Sequence, residues 1–457
     1  MPTYAPEELT QRDRNHHLHP FTDFAEYKKT GGRVFARAEG IFLQDTEGHT
    51  LLDGFSGLWC TNLGYSQPTI VRAVTEQLER LPYYNSFFNC TNEPAAVMAQ
   101  RLTDRAPDQF NHVFFTSSGS EANDTNIRLV HRYFDLIGKP EKKIILSREN
   151  AYHGSTIAAA SLSGMSYTHK QFEPLPYVQH VPQPYWYELG GALSAEAFGL
   201  QAAQALADKI DVLGADRVAA FIGEPVQGAG GVIIPPDSYW PAVQKILEER
   251  DVLLISDEVI CGFGRTGQWF GCEHFGTRPD LITFAKGVTN GYQPLGGVLV
   301  GDRIADVITS TGGEFAHGYT YSGHPAACAA GLATLDLYDE LDTPGYVRNQ
   351  IAPHWAKRWQ ELADHPIVGE VRTLGMLAAI ELVRDKPSRA RLQADGKAAV
   401  YCRDSAVNAG LMVRAVKDSI ISAAPLVCTK EDIDTLIQRL RIALDATAMN
   451  YGINAKS

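Results

Sequence analysis

The sequence predicts an α/β protein with a large, mostly parallel sheet and a smaller α+β domain at its C-terminal end. From about residue 60 to about 330, short β-rich runs alternate with longer helical runs, a pattern typical of sheets covered by helices on both faces. Beyond that point, helices with few strands follow. Because 457 residues are too many for one hydrophobic core, we expect an N-terminal segment (1–60), a large domain (61–330) and a small domain (331–457).

Local patterns predict the individual elements. A polar leader opens the chain, and apolar runs of strand length then alternate with stretches of helical spacing. The predicted strands are 42–45, 51–54, 113–116, 143–146, 218–223, 252–255, 281–286 and 376–381. The predicted helices are 120–137, 238–250, 395–409 and 430–446. Residues 447–457 are expected to fray.

Composition excludes several classes of partner. The formal net charge is −12 and no dense block of Lys or Arg appears, which argues against nucleic acid or an anionic membrane as a main partner. Seven cysteines without a CxxC pair favour reduced thiols. We see no signal peptide and no apolar run long enough to span a membrane, and we expect a cytoplasmic protein.

Four polar side chains stand where predicted strands end, namely Thr116, Glu224, Asp257 and Lys286. In open α/β sheets, ligands bind outside the carboxyl ends of the strands. We therefore expect these four residues to converge on one rim of the sheet and to mark the functional site.

Asp257 and Lys286 suggest what is bound there. Each closes an apolar run, and a glycine-punctuated loop (262–267) lies between them. A lysine amine can form a Schiff base with an aldehyde, and a carboxylate can pair with a protonated ring nitrogen. The pair could therefore hold a pyridine aldehyde at both ends, whereas a lone lysine would be read as a surface charge.

The segment after Thr116 predicts an anion site. Ser118, Gly119 and Ser120 open a helix, where free N–H groups and the helix dipole attract a phosphate. The alternative is a simple N-cap by serine. The segment is not a Walker loop, because no Gly-Lys-Ser/Thr follows.

Seven motifs together resemble the class III (ω-) aminotransferases, which have the pyridoxal-phosphate-dependent transferase fold type I. In order they are 57–60 (GLWC), 118–123 (SGSEAN), 152–154 (YHG), 224–228 (EPVQG), 257–259 (DEV), 285–287 (AKG) and 320–325 (TYSGHP). Each motif is weak alone, but their order and spacing are specific. Within the class, the chain looks most like the amine:pyruvate and diamine:pyruvate enzymes.

The resemblance implies roles around pyridoxal 5′-phosphate. Lys286 would carry the cofactor and shuttle the proton, and Asp257 would keep the pyridine nitrogen protonated. Val259 would pack on one face of the ring and Tyr152 on the other. Ser118, Gly119 and Ser120 would bind the phosphate.

The resemblance also implies shared active sites. Thr320 would reach the phosphate of a neighbouring subunit in a homodimer or tetramer. Glu224 would line the cofactor site mainly as a positioning residue, and His153 is more simply a hydrogen-bonded structural histidine than a base.

One departure from the resemblance concerns the substrate. Relatives that use glutamate, ornithine or γ-aminobutyrate commonly carry a glutamate that pairs with a mobile arginine. Here that position is Ala229, whereas the arginine is present as Arg414. An arginine without this latch can fork a substrate carboxylate or swing away from it, as alternation between pyruvate and a simple amine requires.

Aromatic and apolar side chains are expected to line the substrate pocket. The candidates are Phe21, Leu58, Trp59 and Phe87, beside Tyr152. The histidines in 15–20 have no carboxylate or cysteine at metal-ligand spacing, and so we expect no metal site.

The preferred function is transfer of an amino group from a primary amine or diamine, such as putrescine, to pyruvate, giving alanine and an aldehyde or ketone. A β-alanine or other ω-amino acid:pyruvate aminotransferase remains an alternative. So does another enzyme of this fold, such as an aminomutase, a decarboxylase or a racemase. A binding module that keeps the cofactor without turnover is disfavoured by the intact pair of Asp257 and Lys286.

Overall fold

A computed structural model describes residues 4–311, 313–393 and 395–454. The strands are β1 (Phe35–Glu39), β2 (Phe42–Asp45), β3 (Thr50–Asp53), β4 (Phe110–Thr116), β5 (Ile144–Arg148), β6 (Val178–Val181), β7 (Val218–Gly223), β8 (Leu253–Asp257), β9 (Leu281–Phe284), β10 (Gly296–Gly301), β11 (Val368–Leu374), β12 (Leu377–Asp385), β13 (Ala390–Arg391), β14 (Leu411–Met412), β15 (Arg414–Val416) and β16 (Ser419–Ser422).

Helices connect and cover these strands. They are α1 (Pro6–His16), α2 (Phe24–Thr30), α3 (Ser56–Trp59), α4 (Pro68–Arg80), α5 (Glu93–Thr103), α6 (Gly119–Leu136), α7 (Ile157–Leu162), α8 (Ser166–His169), α9 (Trp186–Leu189), α10 (Ala195–Leu213), α11 (Tyr239–Glu249), α12 (Gly271–Phe275), α13 (Asp302–Thr311), α14 (Pro325–Glu340), α15 (Thr343–Tyr346), α16 (Ala352–Gln360), α17 (Lys397–Asn408) and α18 (Lys430–Asn450). Short 3₁₀ or π-helical turns cover Lys286–Thr289, Val347–Ile351 and Glu361–Asp364.

The central sheet has seven strands in the order β4-β10-β9-β8-β7-β5-β6. Strand β10 is antiparallel to both of its neighbours, and the other pairings are parallel. The predicted mostly parallel sheet is therefore confirmed. Both faces are buried, because successive residues of one strand pack into different apolar clusters. Ile222 of β7 packs with residues of α6, whereas Phe221 packs with residues of α10 and α11.

Two smaller sheets surround the C-terminal helices. One has the order β1-β2-β3-β14, and the other contains β11-β12-β16-β15, with β13 paired to β12. Strand β14 runs parallel to β3, with Leu411 opposite Leu52. Residues of the first 60 positions therefore share a sheet and a hydrophobic core with the C-terminal part, where Leu52 packs in one cluster with Trp355 and Trp359.

The structure corrects several boundaries. The predicted polar leader contains helices α1 and α2. The strand predicted to run to Lys286 ends at Phe284. Fraying from residue 447 is wrong for the first residues of that range, because α18 continues to Asn450 and the side chain of Thr447 is buried. The last part of that prediction, 455–457, lies outside the described residues. Within the described ranges, no helix combines the length and apolarity needed to cross a bilayer.

Candidate active site

The structure places the four predicted polar side chains at or just beyond the carboxyl ends of their strands. Thr116 and Asp257 are the last residues of β4 and β8, Glu224 directly follows β7, and Lys286 lies two residues beyond β9. Three of them line one cavity of about 350 Å³. The predicted site residues that line this cavity are Ser118, Gly119, Ser120, Tyr152, Glu224, Asp257, Val259 and Lys286.

Lys286 occupies a strained position. Its φ is +50°, in the left-handed region that residues with a side chain rarely adopt, and it opens a 3₁₀ turn rather than continuing β9. Strain of this kind costs on the order of 1–3 kcal/mol and is concentrated at functional sites. Burial lowers the pKa of the Lys286 amine, although the carboxylates of Asp257 and Glu224 act against that shift. The lowered pKa makes the amine a better nucleophile than that of an exposed lysine.

The carboxylate of Asp257 is held from several sides. Its Oδ2 accepts hydrogen bonds from Asn123 Nδ2 at 2.9 Å and from His153 Nδ1 at 2.7 Å. Its Oδ1 accepts from the backbone N–H of Val259 at 3.2 Å. Together the three donors fix the position of the carboxylate. The other ring nitrogen of His153, Nε2, is buried and has no partner among the described residues.

The start of α6 forms a close anion cradle. Ser118 is the N-cap, and its hydroxyl accepts from the N–H of Glu121 at 3.2 Å. A Cβ on Gly119 would lie 2.9 Å from Cγ2 of Val259, so that only glycine keeps this wall open. The Oγ of Ser120 accepts from the N–H of Ser155 at 3.0 Å. Its own proton is therefore available to a ligand.

Glu224 fixes two segments that border the cavity. Its Oε1 accepts from the N–H of Tyr152 at 3.1 Å, and its Oε2 accepts from the N–H of Gly228 at 2.9 Å. Burial raises the pKa of the Glu224 carboxyl. These backbone contacts indicate that Glu224 positions Tyr152 rather than taking part in chemistry.

Arg414 and Lys286 approach the same indole. The Arg414 guanidinium carbon lies 5.4 Å from the centre of the Trp59 ring, and Lys286 Nζ lies 5.1 Å from it. Burial lowers the pKa of Arg414. In the described part of the chain, no carboxylate lies within 4.0 Å of the guanidinium. Ala229 is buried in an apolar cluster with Trp59. Because this position carries no glutamate, it offers no carboxylate partner to the Arg414 cation near Lys286.

Two further pocket candidates lie at the surface. The Phe21 ring is 70% exposed, and its centre lies 6.3 Å from that of Tyr152 in an edge-to-face arrangement. Leu58 is 52% exposed and precedes Trp59 in the kinked α3. Both residues can border an entrance to the cavity, but neither lines its floor.

Phe87 and Thr320 are not brought to Lys286 within one chain. Phe87 lines a different cavity, together with His317 and Gly318. Thr320 is exposed, and its carbonyl accepts from the hydroxyl of Tyr83 at 2.8 Å. The two residues thus belong to one surface region outside the Lys286 cavity.

We expect no metal site near the N-terminus because no carboxylate stands at metal-ligand spacing from the histidines in the sequence. The structure shows that this reason is wrong. Helix α1 brings Asp13 to the histidines, so that ligand atoms of Asp13, His17 and His19 lie within 4.8 Å of one another. The carboxylate already accepts hydrogen bonds from His17 at 3.1 Å, from His19 at 2.9 Å and from Tyr27. This network joins α1 to α2.

Sequence reasoning missed several residues of the cavity. Asn123 is fully buried behind the cavity, where it donates to Asp257, and its spacing of one helical turn from Gly119 could have indicated this position. Cys60, Thr289 and Gln293 line the cavity itself. Cys60 ends the GLWC motif but was not assigned to the site, and no local pattern singles out Thr289 or Gln293.

The arrangement fits a phosphorylated pyridine aldehyde. Its three parts are a buried amine at Lys286, a hydrogen-bonded carboxylate at Asp257 and a glycine-lined helix start at Gly119. They match the three polar ends of such a molecule: the aldehyde, the ring nitrogen and the phosphate.

Comparisons with known proteins agree with this chemistry. The family model described as aminotransferase class-III matches residues 25–444. The chain is 50% identical over 436 residues to the putrescine–pyruvate aminotransferase of Pseudomonas aeruginosa, and the match spans 95% of each chain. It is 38% identical over 451 residues to the diaminobutyrate–2-oxoglutarate transaminase of Halomonas elongata, spanning 96% of each.

Solved structures show the same fold. The ω-transaminase of Pseudomonas jessenii in complex with PMP has a TM-score of 0.95 and 38% identity, covering 97% of this chain and 99% of that chain. An (S)-enantioselective ω-transaminase of Thermomicrobium roseum has a TM-score of 0.94 and 40% identity, covering 98% and 100%.

Proposed function

We propose, starting from the fact that the chain belongs to the class III aminotransferases, that it transfers the amino group of putrescine or a similar amine to pyruvate. The products are alanine and an aldehyde or ketone. The observation that carries the choice of substrates is the Arg414 guanidinium, which lies beside Trp59 without a carboxylate partner among the described residues. The putrescine–pyruvate aminotransferase at 50% identity supports the same pair of substrates.

The cofactor is pyridoxal 5′-phosphate. When bound, it supplies an electron-withdrawing ring that makes the C–H bond beside the donor's amino group acidic. Ser118, Gly119 and Ser120 would hold its phosphate, and the Asp257 carboxylate would balance the charge of its ring nitrogen. Tyr152 and Val259 line the cavity where the ring would lie.

Lys286 then acts as the acid–base group. Its Nζ would remove the proton from the carbon that bears the donor's amino group. It would then deliver that proton to the cofactor carbon that is bonded to the same nitrogen. The Trp59 ring lies beside the amine, with its centre 5.1 Å from Nζ, and restricts the positions that the amine can take. Burial disfavours the charged ammonium, which lowers the pKa of the Lys286 amine and increases the fraction of it that can accept a proton.

Arg414 is the proposed carboxylate clamp. Its two parallel N–H donors can hold the carboxylate of pyruvate, which a simple amine lacks. With Ala229 in place of a glutamate, no protein carboxylate competes for the guanidinium. Phe21, Leu58 and Tyr152 would border the path taken by an extended apolar amine.

We further propose that two chains complete each site. Phe87 and Thr320 would approach the cofactor of a partner subunit in a homodimer or tetramer. Support comes from their position outside their own chain's Lys286 cavity and from exposed aromatic side chains in the same two segments, among them Phe88 and Tyr321. Dimers that persist at low concentration, and weaker cofactor retention in Thr320→Ala, are the expected results.

The same proposal assigns segment 1–60 to the small domain and the active-site entrance, segment 61–330 to cofactor binding, and segment 331–457 to the small domain. We place the enzyme in the cytoplasm, where its seven unpaired cysteines would stay reduced.

An alanine assay tests the proposed function. Putrescine, β-alanine and an aromatic monoamine are offered as donors, each with pyruvate or 2-oxoglutarate as the acceptor. Alanine formation from putrescine and pyruvate is expected. A marked preference for β-alanine would support the ω-amino acid alternative, with Arg414 holding the donor's carboxylate. Product isomers without alanine would point to an aminomutase and overturn the proposal.

A further inference from the structure

Three hydrogen bonds join the segment 315–320 to helix α6, and a fourth joins the Thr320 carbonyl to the Tyr83 hydroxyl. Arg128 of α6 donates from Nη2 to the carbonyl of Ala316 at 2.7 Å. The Tyr319 hydroxyl donates to the carbonyl of Glu121 at 3.1 Å. Helix α6 is also the helix whose first residues, from Gly119, line the cofactor cavity of its own chain.

His317 makes the central contact of this attachment. Its Nε2 lies 2.9 Å from Oγ1 of Thr125, also on α6. The single Thr125 hydroxyl proton is used in a 2.8 Å hydrogen bond to the carbonyl of Glu121. Thr125 must therefore accept from His317, which assigns the proton of the neutral imidazole to Nε2.

The ring of His317 is further fixed by stacking. It lies parallel to Phe114 of β4, with ring centres 5.3 Å apart and an interplanar angle of 9°. Burial, together with the charge of Arg128, lowers the pKa of His317 to about 4. At neutral pH the imidazole is thus uncharged, and it holds the segment by stacking on Phe114 and by one N–H hydrogen bond to Thr125.

We propose that His317 is a positioning residue for the partner subunit's active site, because it anchors the segment that presents Thr320 to α6. This inference rests on the proposed sharing of Thr320 between subunits. Each α6 would then contact two sites: the phosphate of its own subunit at Gly119, and that of the partner through Thr125, His317 and Thr320.

The test uses mixed dimers in which only one subunit retains Lys286. In the first dimer, a Lys286→Ala subunit also carries His317→Leu and its partner is wild type. In the second, one subunit carries Lys286→Ala alone and the other carries His317→Leu. Borohydride labelling of Lys286, measured against the concentration of pyridoxal 5′-phosphate, reports occupancy of the single lysine-containing site.

The expected result is weaker occupancy in the first dimer only, by roughly 3- to 10-fold for the loss of one neutral hydrogen bond. His317→Gln, which keeps an N–H donor, should restore much of the loss. If cofactor occupancy falls only in the second dimer, His317 acts on the site of its own chain, and the inference is overturned. Equal occupancy in the two dimers would overturn it as well.

Two measurements keep the test decisive. Thr125→Val removes the acceptor without disturbing the stacked ring, and it should reproduce the effect if His317→Leu fails to fold. Hydrogen exchange at 315–320 in the cofactor-free protein should become faster in both variants, and unchanged exchange would contradict the anchoring role. If Thr320→Ala homodimers retain the cofactor normally, the shared site itself fails, which is a separate outcome.

Discussion

The Nδ1 atom of His153 lies 2.7 Å from Oδ2 of Asp257, and both side chains are almost completely buried. A carboxylate can only accept, so His153 donates the hydrogen bond. In this buried setting the bond fixes the position of the Asp257 carboxylate, which would be the counter-charge of the cofactor's pyridine nitrogen. His153 therefore serves the chemistry through Asp257.

Replacing His153 with leucine should lower kcat more than it changes KM. A hydrogen bond to a charged group contributes about 1.5–3 kcal/mol, so we expect a loss of roughly 10- to 100-fold in kcat. Steady-state kinetics with a fixed amine and pyruvate measure the effect. His131 on α6, which donates from Nε2 to the carbonyl of Lys143, offers a control. Its leucine variant should retain kcat, and an equal loss in both variants would argue for a merely structural role of His153.

Arg414→Leu should affect the two half-reactions differently. The amine half-reaction does not require the guanidinium, whereas pyruvate loses its charged clamp. We expect kcat/KM for pyruvate to fall roughly 10- to 100-fold while the single-turnover rate with the amine changes little. Arg414→Lys keeps the positive charge but not the two parallel N–H donors. Its kcat/KM for pyruvate should therefore lie between those of the wild type and Arg414→Leu. An equal loss in both half-reactions would contradict the assigned role.

The buried Lys286 amine should make the cofactor-free protein less stable at neutral pH. Its folded-state pKa lies below the unfolded value of 10.5, so unfolding takes up a proton and the free energy of unfolding rises with pH between those two values. Lys286→Met removes the free-energy cost of burying an amine that is charged in the unfolded chain. Denaturant unfolding should show the methionine variant to be more stable near neutrality, with the difference shrinking as the pH approaches 10.5. A difference in the free energy of unfolding that grows with pH would contradict this prediction.

Arg372 should be essential for stability, because it joins β11 to the loop that contains Ala229. It donates to the carbonyl of Gly231 at 2.9 Å and to that of Val232 at 3.2 Å, and it pairs with Glu381 at 3.3 Å. Arg372→Ala leaves a poorly solvated carboxylate without its counter-charge, and we expect a loss of about 3–5 kcal/mol in the free energy of unfolding.

A matched surface pair provides the control for this prediction. Arg80 and Glu93 form an ion pair with both side chains largely exposed. Arg80→Ala should cost at most about 1 kcal/mol. Similar denaturation midpoints for the two variants would show that the buried network around Arg372 does not stabilise the fold.

The rim of the sheet was predictable because parallel strands end at the same edge. Asp257 and Lys286 each close an apolar run, and this alone places them together. The exact backbone at Lys286 was not predictable, since the left-handed φ depends on tertiary contacts that override the strand pattern.

Other parts depend on long-range contacts that no local pattern reveals. The Asp13 carboxylate meets His19 only because α1 and the following turn fold back toward Tyr27. The sequence predicts that His153 is a hydrogen-bonded structural histidine, but no local pattern indicates that its partner is Asp257, 104 positions away in the chain. The position of Thr320 outside the cavity could be anticipated only from family resemblance.

Borohydride reduction followed by peptide mapping tests the central claim most directly. Borohydride converts the bond between a lysine and the cofactor aldehyde into a stable amine, which marks the lysine permanently. The account predicts one pyridoxyl-modified peptide, with the modification on Lys286, and none in the Lys286→Ala variant. A label on another lysine, or no label on protein that still contains the cofactor, would contradict it.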